Sequence, residues 1–298
     1  MTAVGQLSLA AEHQRTERAL ELLCDRELGA LPEQVAEAIR YCVMGEGKRL
    51  RPVLTLCAYD AAGGKGDASG LAAAVEVVHA YSLAHDDLPC MDDDNMRRGR
   101  PTLHRKFGVS VATVAGVAMV PLAARCAWVA ATQLGLSPNG AAAIVRELMA
   151  ASGARGMIGG QLLDLEAEGR VLNLPELERV HRMKTGALIA ASVRLGAMAA
   201  GANQPELEAL DRYGRGVGLA FQIADDVLDV TATSDQLGKT AGRDAELHKS
   251  TYPALLGVEG ARARAAELIE ESCAGLARQG LLTAQLEYLA RFIITRQS

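Results

Sequence analysis

The 298-residue sequence predicts an all-α protein, a single large helical bundle spanning residues 1–298. Three observations support this. Ala and Leu are abundant, and apolar residues recur at three- and four-residue spacing, as in Leu177, Val180, Met183, Ala187 and Leu188. Turn signals fall at wide intervals (61–66, 136–140, 171–175 and 201–205) and bound segments longer than the average helix of about 11 residues. Strand-like alternation, internal repeats and a Pro/Ser-rich linker are all absent from the sequence. With 49% hydrophobic and 22% charged residues the chain has enough apolar content for a large core, which excludes disorder. Its net charge of −5 excludes a general nucleic-acid binder, which would carry a basic excess.

The opening stretch MTAVGQLSLAAEHQRTER has neither a basic start nor a sustained apolar run, so it does not read as a signal peptide. The first helix is expected near 32–45. The next, near 50–61, follows Gly45-Glu-Gly-Lys-Arg-Leu-Arg-Pro52, which puts Lys48, Arg49 and Arg51 at a helix start, where unpaired N–H groups favour anions. A helix near 68–88 ends in His85-Asp-Asp-Leu-Pro-Cys-Met-Asp-Asp-Asp-Asn-Met-Arg-Arg98, with five carboxylates inside nine residues. Pro89 should break the helix there and let Asp92 to Asp94 curl back towards Asp86 and Asp87.

Two uncharged runs follow, 107–124 and 126–145. Pro121 interrupts the first, and Gln133, Ser137, Pro138, Asn139 and Gly140 break the second. They read as core helices near 110–134 and 139–168 and not as a hairpin in lipid, with Pro121 expected to kink or end the first. Helices near 175–200, 205–230, 251–278 and 283–296 complete the chain. The six cysteines contain no CxxC pair, so zinc and thioredoxin-like readings fail, and free thiols in a reducing cytoplasm are expected.

The first acidic stretch taken alone also reads as a solvated loop. A second, Phe221-Gln-Ile-Ala-Asp-Asp-Val-Leu-Asp229, changes the balance. Asp225 and Asp229 share one helical face with Asp226 beside them, and Gln222 lies one turn before Asp226. The flanking residues are apolar, and buried carboxylates are costly unless paired or bound to metal. Hard oxygen ligands that leave room for water and phosphate suit Mg²⁺. Arg97 and Arg98 follow the first cluster, Lys184 lies in an apolar helix, and Lys239 and Lys249 follow the second cluster. Each cation singly reads as a surface charge. Together with two carboxylate sets they fit a diphosphate carrying a hydrocarbon tail.

These stretches, with GMIGGQLLDLEAEG, HRMKTGALI and LGKTAGRDAELHKSTYPALLG, resemble the trans-isoprenyl diphosphate synthases from about residue 38 to 260, and most nearly their bacterial farnesyl type. The resemblance implies an isoprenoid synthase-like bundle around a central cavity. It implies that Asp86, Asp87 and Asp92, with Asp225, Asp226 and Asp229, hold three Mg²⁺ ions on an allylic diphosphate gripped by Arg97, Lys184, Lys239 and Lys249. It assigns Lys48, Arg51, His79 and Arg98 to isopentenyl diphosphate, and Thr185 and Gln222 to the carbocation. Arg49 reads equally as a helix-surface charge, and His85 as a helix-end packing residue. Tyr81, about 7.5 Å along the helix axis from Asp86 and followed by Ser82, is placed to close the tail pocket at C15.

The same resemblance implies a cytoplasmic homodimer. The family usually has Gly-Asp-Ala-Leu where this chain has Gly116-Val-Ala-Met119, a departure that bears on chain length and dimer packing and leaves the acidic motifs intact. The expected activity is head-to-tail condensation of isopentenyl diphosphate with dimethylallyl and then geranyl diphosphate. Geranylgeranyl (C20) or geranyl (C10) synthesis is the alternative within the class. A class I terpene cyclase would need no isopentenyl clamp, and a non-catalytic partner subunit would not need two complete aspartate motifs.

Overall fold

In the computed structural model, which describes residues 3–231 and 250–296, helices make up nearly every element. They are α1 (Ala3–Glu27), α2 (Glu33–Val43), α3 (Leu50–Ala61), α4 (Ser69–Asp86), α5 (Leu103–Phe107), α6 (Val109–Gln133), α7 (Pro138–Ser152), α8 (Met157–Glu166), α9 (Leu174–His181), α10 (Ala187–Ala200), α11 (Gln204–Thr231), α12 (Tyr252–Ala277) and α13 (Ala284–Thr295). The expected all-α class is what the chain adopts. Among the described residues the only strands are β1 (Met96–Arg97) and β2 (Arg100–Pro101), a two-residue antiparallel pair.

Local chemistry sets several boundaries. Asn173 and Glu176 form a reciprocal capping box at the start of α9 (3.0 and 2.9 Å), with Pro175 in the first turn. Asn203 and Glu206 do the same for α11 (3.1 and 2.8 Å). Thr251 accepts from the Ala254 N–H at the start of α12.

Two apolar clusters form the interior. One gathers α1, α2, α4, α6 and α7, and the other gathers α9, α11, α12 and α13. Helices α3 and α10 join them: Leu56 and Leu188 face the first, Leu54 and Ile189 the second, and all four are fully buried. Such sharing fixes α3 and α10 between the two halves, and the first residues of each border the acidic and basic motifs.

Four sequence expectations need correction. Helix α1 was not anticipated, because charges are spread along it and its buried seam (Ala19, Leu20, Leu23, Cys24) is narrow. The segment 139–168 is two helices, α7 and α8. At Gly156 a Cβ would lie 2.0 Å from the Ala151 carbonyl oxygen, an approach only glycine permits. The segment 175–200 passes through a π-helical turn at Arg182–Gly186. Of the two outcomes expected at Pro121, a kink or an end, the end is overturned, since α6 runs through it to Gln133.

Helix α6 is, among the described residues, the one long and apolar enough to cross a membrane, and a third of its most apolar window is buried. One side packs on α4 and α7. The other leaves Val114, Val117 and Trp128 exposed. The six cysteines are free thiols.

Candidate active site

The first acidic motif folds back on itself. Helix α4 ends at Asp86, Asp87 takes the C-cap, and the Asp92 N–H returns to the Asp86 carbonyl at 2.9 Å. Asp93 turns the loop with φ of 49°. Burial raises the Asp86 carboxyl to about 6; repulsion from Asp92 and Asp87 adds to this, and Lys184 and Arg97 oppose it. Burial also raises Asp87, although Arg97 donates to it at 2.7 Å and reaches Asp94 at 3.4 Å.

The second motif occupies the last turns of α11. Gln222 donates to Asp226 at 3.1 Å and accepts from the Thr185 hydroxyl at 2.8 Å. Asp226, buried, also accepts from the Tyr252 N–H at 3.0 Å and lies 3.9 Å from His181 Nε2. Asp229 is buried too, while Asp225 is paired with Arg296 at 2.5 Å.

The π turn between α9 and α10 links the two motifs. Lys184 bonds Asp164 of α8 at 2.6 Å. Burial works against its charge, yet attraction from Asp164, then Asp86 and Asp92, holds its pKa above the ordinary value. Thr185, the next residue, reaches Gln222 and through it Asp226. Gly160 makes the turn possible, because a Cβ there would sit 2.1 Å from the Lys184 nitrogen.

The basic residues gather beside this frame. Arg51, in the first turn of α3, reaches His79 at 3.3 Å, and its Nε is buried without a hydrogen-bond partner. Burial pulls the Arg51 guanidinium down to about 10; Arg98 adds repulsion, and Glu76 and Asp225 oppose it. Burial pushes His79 well below its ordinary value, and Arg51, Arg98, Arg97 and Arg49 add to this. Lys48 and Arg98 are lowered as well, first by burial and then by neighbouring cations (Arg296 on Lys48, Arg97 and Arg49 on Arg98). This crowd of mutually repelling donors is suited to an anion.

The donor set fits a hard divalent cation. Its members are carboxylates on two elements, and cationic side chains already neutralise some of them, Arg97 at Asp87 and Arg296 at Asp225. Among the described residues no three acidic, histidine or cysteine groups are drawn together into a finished cage. Mutual repulsion keeps such carboxylates apart until a cation offsets it.

Tyr81 is buried on α4, edge-on to His85 at 5.3 Å, and the Ser82 hydroxyl donates to the His79 carbonyl. His85 packs on α6, where it approaches the Thr113 carbonyl at 3.1 Å, and Gly116 leaves room for its ring. Arg49 is 4% exposed, which corrects its reading as a surface charge. Lys239 and Lys249 lie outside the described residues. Asp164, His181 and Arg296 were missed in the sequence. Asp164 carried a signal there, as an acid inside the apolar run GQLLDLE, and His181 opens the quoted stretch HRMKTGALI, whereas Arg296 carried none.

The fold and this pairing of two carboxylate sets with clustered cations define a prenyltransferase, and the chain belongs to the polyprenyl synthetase family, whose model matches residues 32–281. It is 48% identical over 279 residues to farnesyl diphosphate synthase of Escherichia coli, covering 91% of this chain and 93% of that one. It is also 44% identical over 243 residues to a chloroplastic geranylgeranyl pyrophosphate synthase of Capsicum annuum, covering 81% of this chain and 65% of that one. Among solved structures, the geranyltransferase of Helicobacter pylori complexed with magnesium and isoprenyl diphosphate superposes with a TM-score of 0.79. Its identity is 30%, with 99% of this chain and 97% of that one covered.

Proposed function

We propose that this chain is a Mg²⁺-dependent head-to-tail prenyltransferase that condenses isopentenyl diphosphate with dimethylallyl and then geranyl diphosphate, releasing farnesyl diphosphate. The observation that carries this reading is the meeting of two carboxylate sets through Lys184, Thr185 and Gln222, with a separate cluster of cations alongside. A single-substrate cyclase has no use for the second cluster. The E. coli and H. pylori relatives support the substrate class.

Asp86, Asp87 and Asp92, with Asp225, Asp226 and Asp229, would hold three Mg²⁺ ions. Bound there, the ions would neutralise charge on the departing diphosphate. Arg97 and Lys184, with Lys239 and Lys249, grip the same group and stabilise its charge as the allylic C–O bond breaks. The Thr185 and Gln222 oxygens face the resulting cation. Lys48, Arg51 and Arg98 hold the isopentenyl diphosphate so that its double bond meets the cation, with His79 beside Arg51. A new C–C bond forms, and the released diphosphate accepts the proton that the adduct loses.

Tyr81 closes the tail pocket at C15. The protein works as a cytoplasmic homodimer. The second reading, a C20 product, is favoured by the geranylgeranyl relative. Incubating purified protein with labelled isopentenyl diphosphate and each allylic primer should give C15 product from both, and none in excess EDTA. A dominant C20 product would select the second reading. Hydrocarbon formed from farnesyl diphosphate alone would overturn both.

A further inference from the structure

Arg49 is the least expected residue of the basic segment, because its charge is inside the protein. It occupies the N-cap position of α3 in the left-handed region (φ 48°, ψ 32°), a conformation costly for a residue with a Cβ unless its surroundings hold it there. Its guanidinium supplies that constraint. Nε donates to Glu17 of α1 at 2.7 Å, Nη1 to Glu76 of α4 at 2.6 Å, and Nη2 to the Gly45 carbonyl at 2.7 Å. One rigid fork therefore ties two helices to the loop that precedes α3.

That loop supports the clamp. The Glu46 carbonyl accepts from Arg98, and the Arg98 guanidinium lies against Gly47, where a Cβ would leave 2.5 Å. Lys48 and Arg51 flank Arg49 in the chain, so its fixed backbone sets where both side chains leave the helix start.

We propose that Arg49 is a positioning residue for the isopentenyl diphosphate clamp, holding the 45–48 loop so that Lys48, Arg51 and Arg98 converge on one diphosphate. This rests on the prenyltransferase reading, and it gives Arg49 no contact with substrate. If the ion cluster served only to fasten α1 to α4, its loss would lower the melting temperature and leave substrate affinities alone.

The test compares Arg49→Met, Arg49→Lys and Glu17→Gln with the natural chain. The readouts are melting temperature, kcat, KM for each substrate, and the affinity for inorganic pyrophosphate by calorimetry without metal. Arg49→Met should raise KM for isopentenyl diphosphate about tenfold while kcat and KM for geranyl diphosphate stay within about twofold. Arg49→Lys should recover part of the loss, and pyrophosphate affinity should fall in the same order. Glu17 sits at the edge of the cluster with its side chain 32% exposed, so Glu17→Gln should fold and shift KM in the same direction, by about two- to threefold. An unchanged KM for isopentenyl diphosphate and unchanged pyrophosphate affinity in Glu17→Gln and in any Arg49 variant that folds would overturn the proposal. A natural chain that cannot turn over isopentenyl diphosphate would instead strike the function, and the pyrophosphate affinities would still decide the role of Arg49.

Discussion

Burial holds the Glu12 carboxyl above its ordinary value, Asp60 adds repulsion, and one of its oxygens, Oε2, is buried without a hydrogen-bond partner. A carboxyl whose folded pKa is raised destabilises the fold when ionised, and the penalty vanishes as pH falls below the ordinary value. Glu12→Gln should therefore stabilise the unliganded protein by about 1 kcal/mol at pH 8 and by nothing near pH 4, read from urea midpoints. Asp86 faces the opposite demand, since its charge is costly to the fold and the proposed mechanism requires it to hold Mg²⁺. Asp86→Asn should reduce kcat on the order of 100-fold or more at saturating Mg²⁺ without unfolding the chain, checked by steady-state assay beside circular dichroism. Tyr81 is a question of size. Removing its ring by Tyr81→Ala should lengthen the product from C15 to C20, resolved by chromatography of the dephosphorylated alcohols. Unchanged C15 output would rule the ring out as the pocket floor.

Helix α8 and the π turn show how a site depends on backbone contact between elements. Their approach is so close that Gly160→Ala must push Lys184 away from Asp164, Asp86 and Asp92. The substitution should cost about 2 kcal/mol or more in urea unfolding, and any folded fraction should show weakened allylic substrate binding. This contact also marks what the sequence could not reveal. Helix α3 was legible to the residue because GKRLRP puts a turn and a proline at its start, and the acidic motifs were legible because dense carboxylates in apolar surroundings need a counter-charge. The π turn was not, since its cause lies 24 residues earlier in the chain, at Gly160. Arg49 was misread for the same reason: its partners Glu17 and Glu76 belong to elements remote in sequence. Arg296 reaches Asp225 from the end of α13, a pairing only the tertiary fold creates.

For the whole molecule, the unusual surface is the outer face of α6. Val114, Val117, Pro121 and Trp128 recur at helical spacing along it, and the two valines and the tryptophan are 52%, 59% and 42% exposed. The departure at residue 117 contributes directly, since Val117 puts an apolar side chain on the outside where the family usually has an aspartate. Pro121 belongs to the same exposed face, and α6 continues through it. An apolar stripe of this kind is costly to leave in water, and a second copy of the same helix would bury it symmetrically. The proposed homodimer is therefore expected to form across α6, with the Trp128 rings as its largest anchors. Sedimentation velocity should give a species of twice the 31.4 kDa chain mass for the natural protein. Trp128→Glu would place a charge in that contact and should weaken association by about 100-fold or more, giving monomers at micromolar concentration. Because Trp128 lies on the outer face and takes no part in the acidic or basic clusters, the monomer should keep its helical circular dichroism. A Trp128→Glu protein that still sediments as a dimer would place the interface on another face of the bundle.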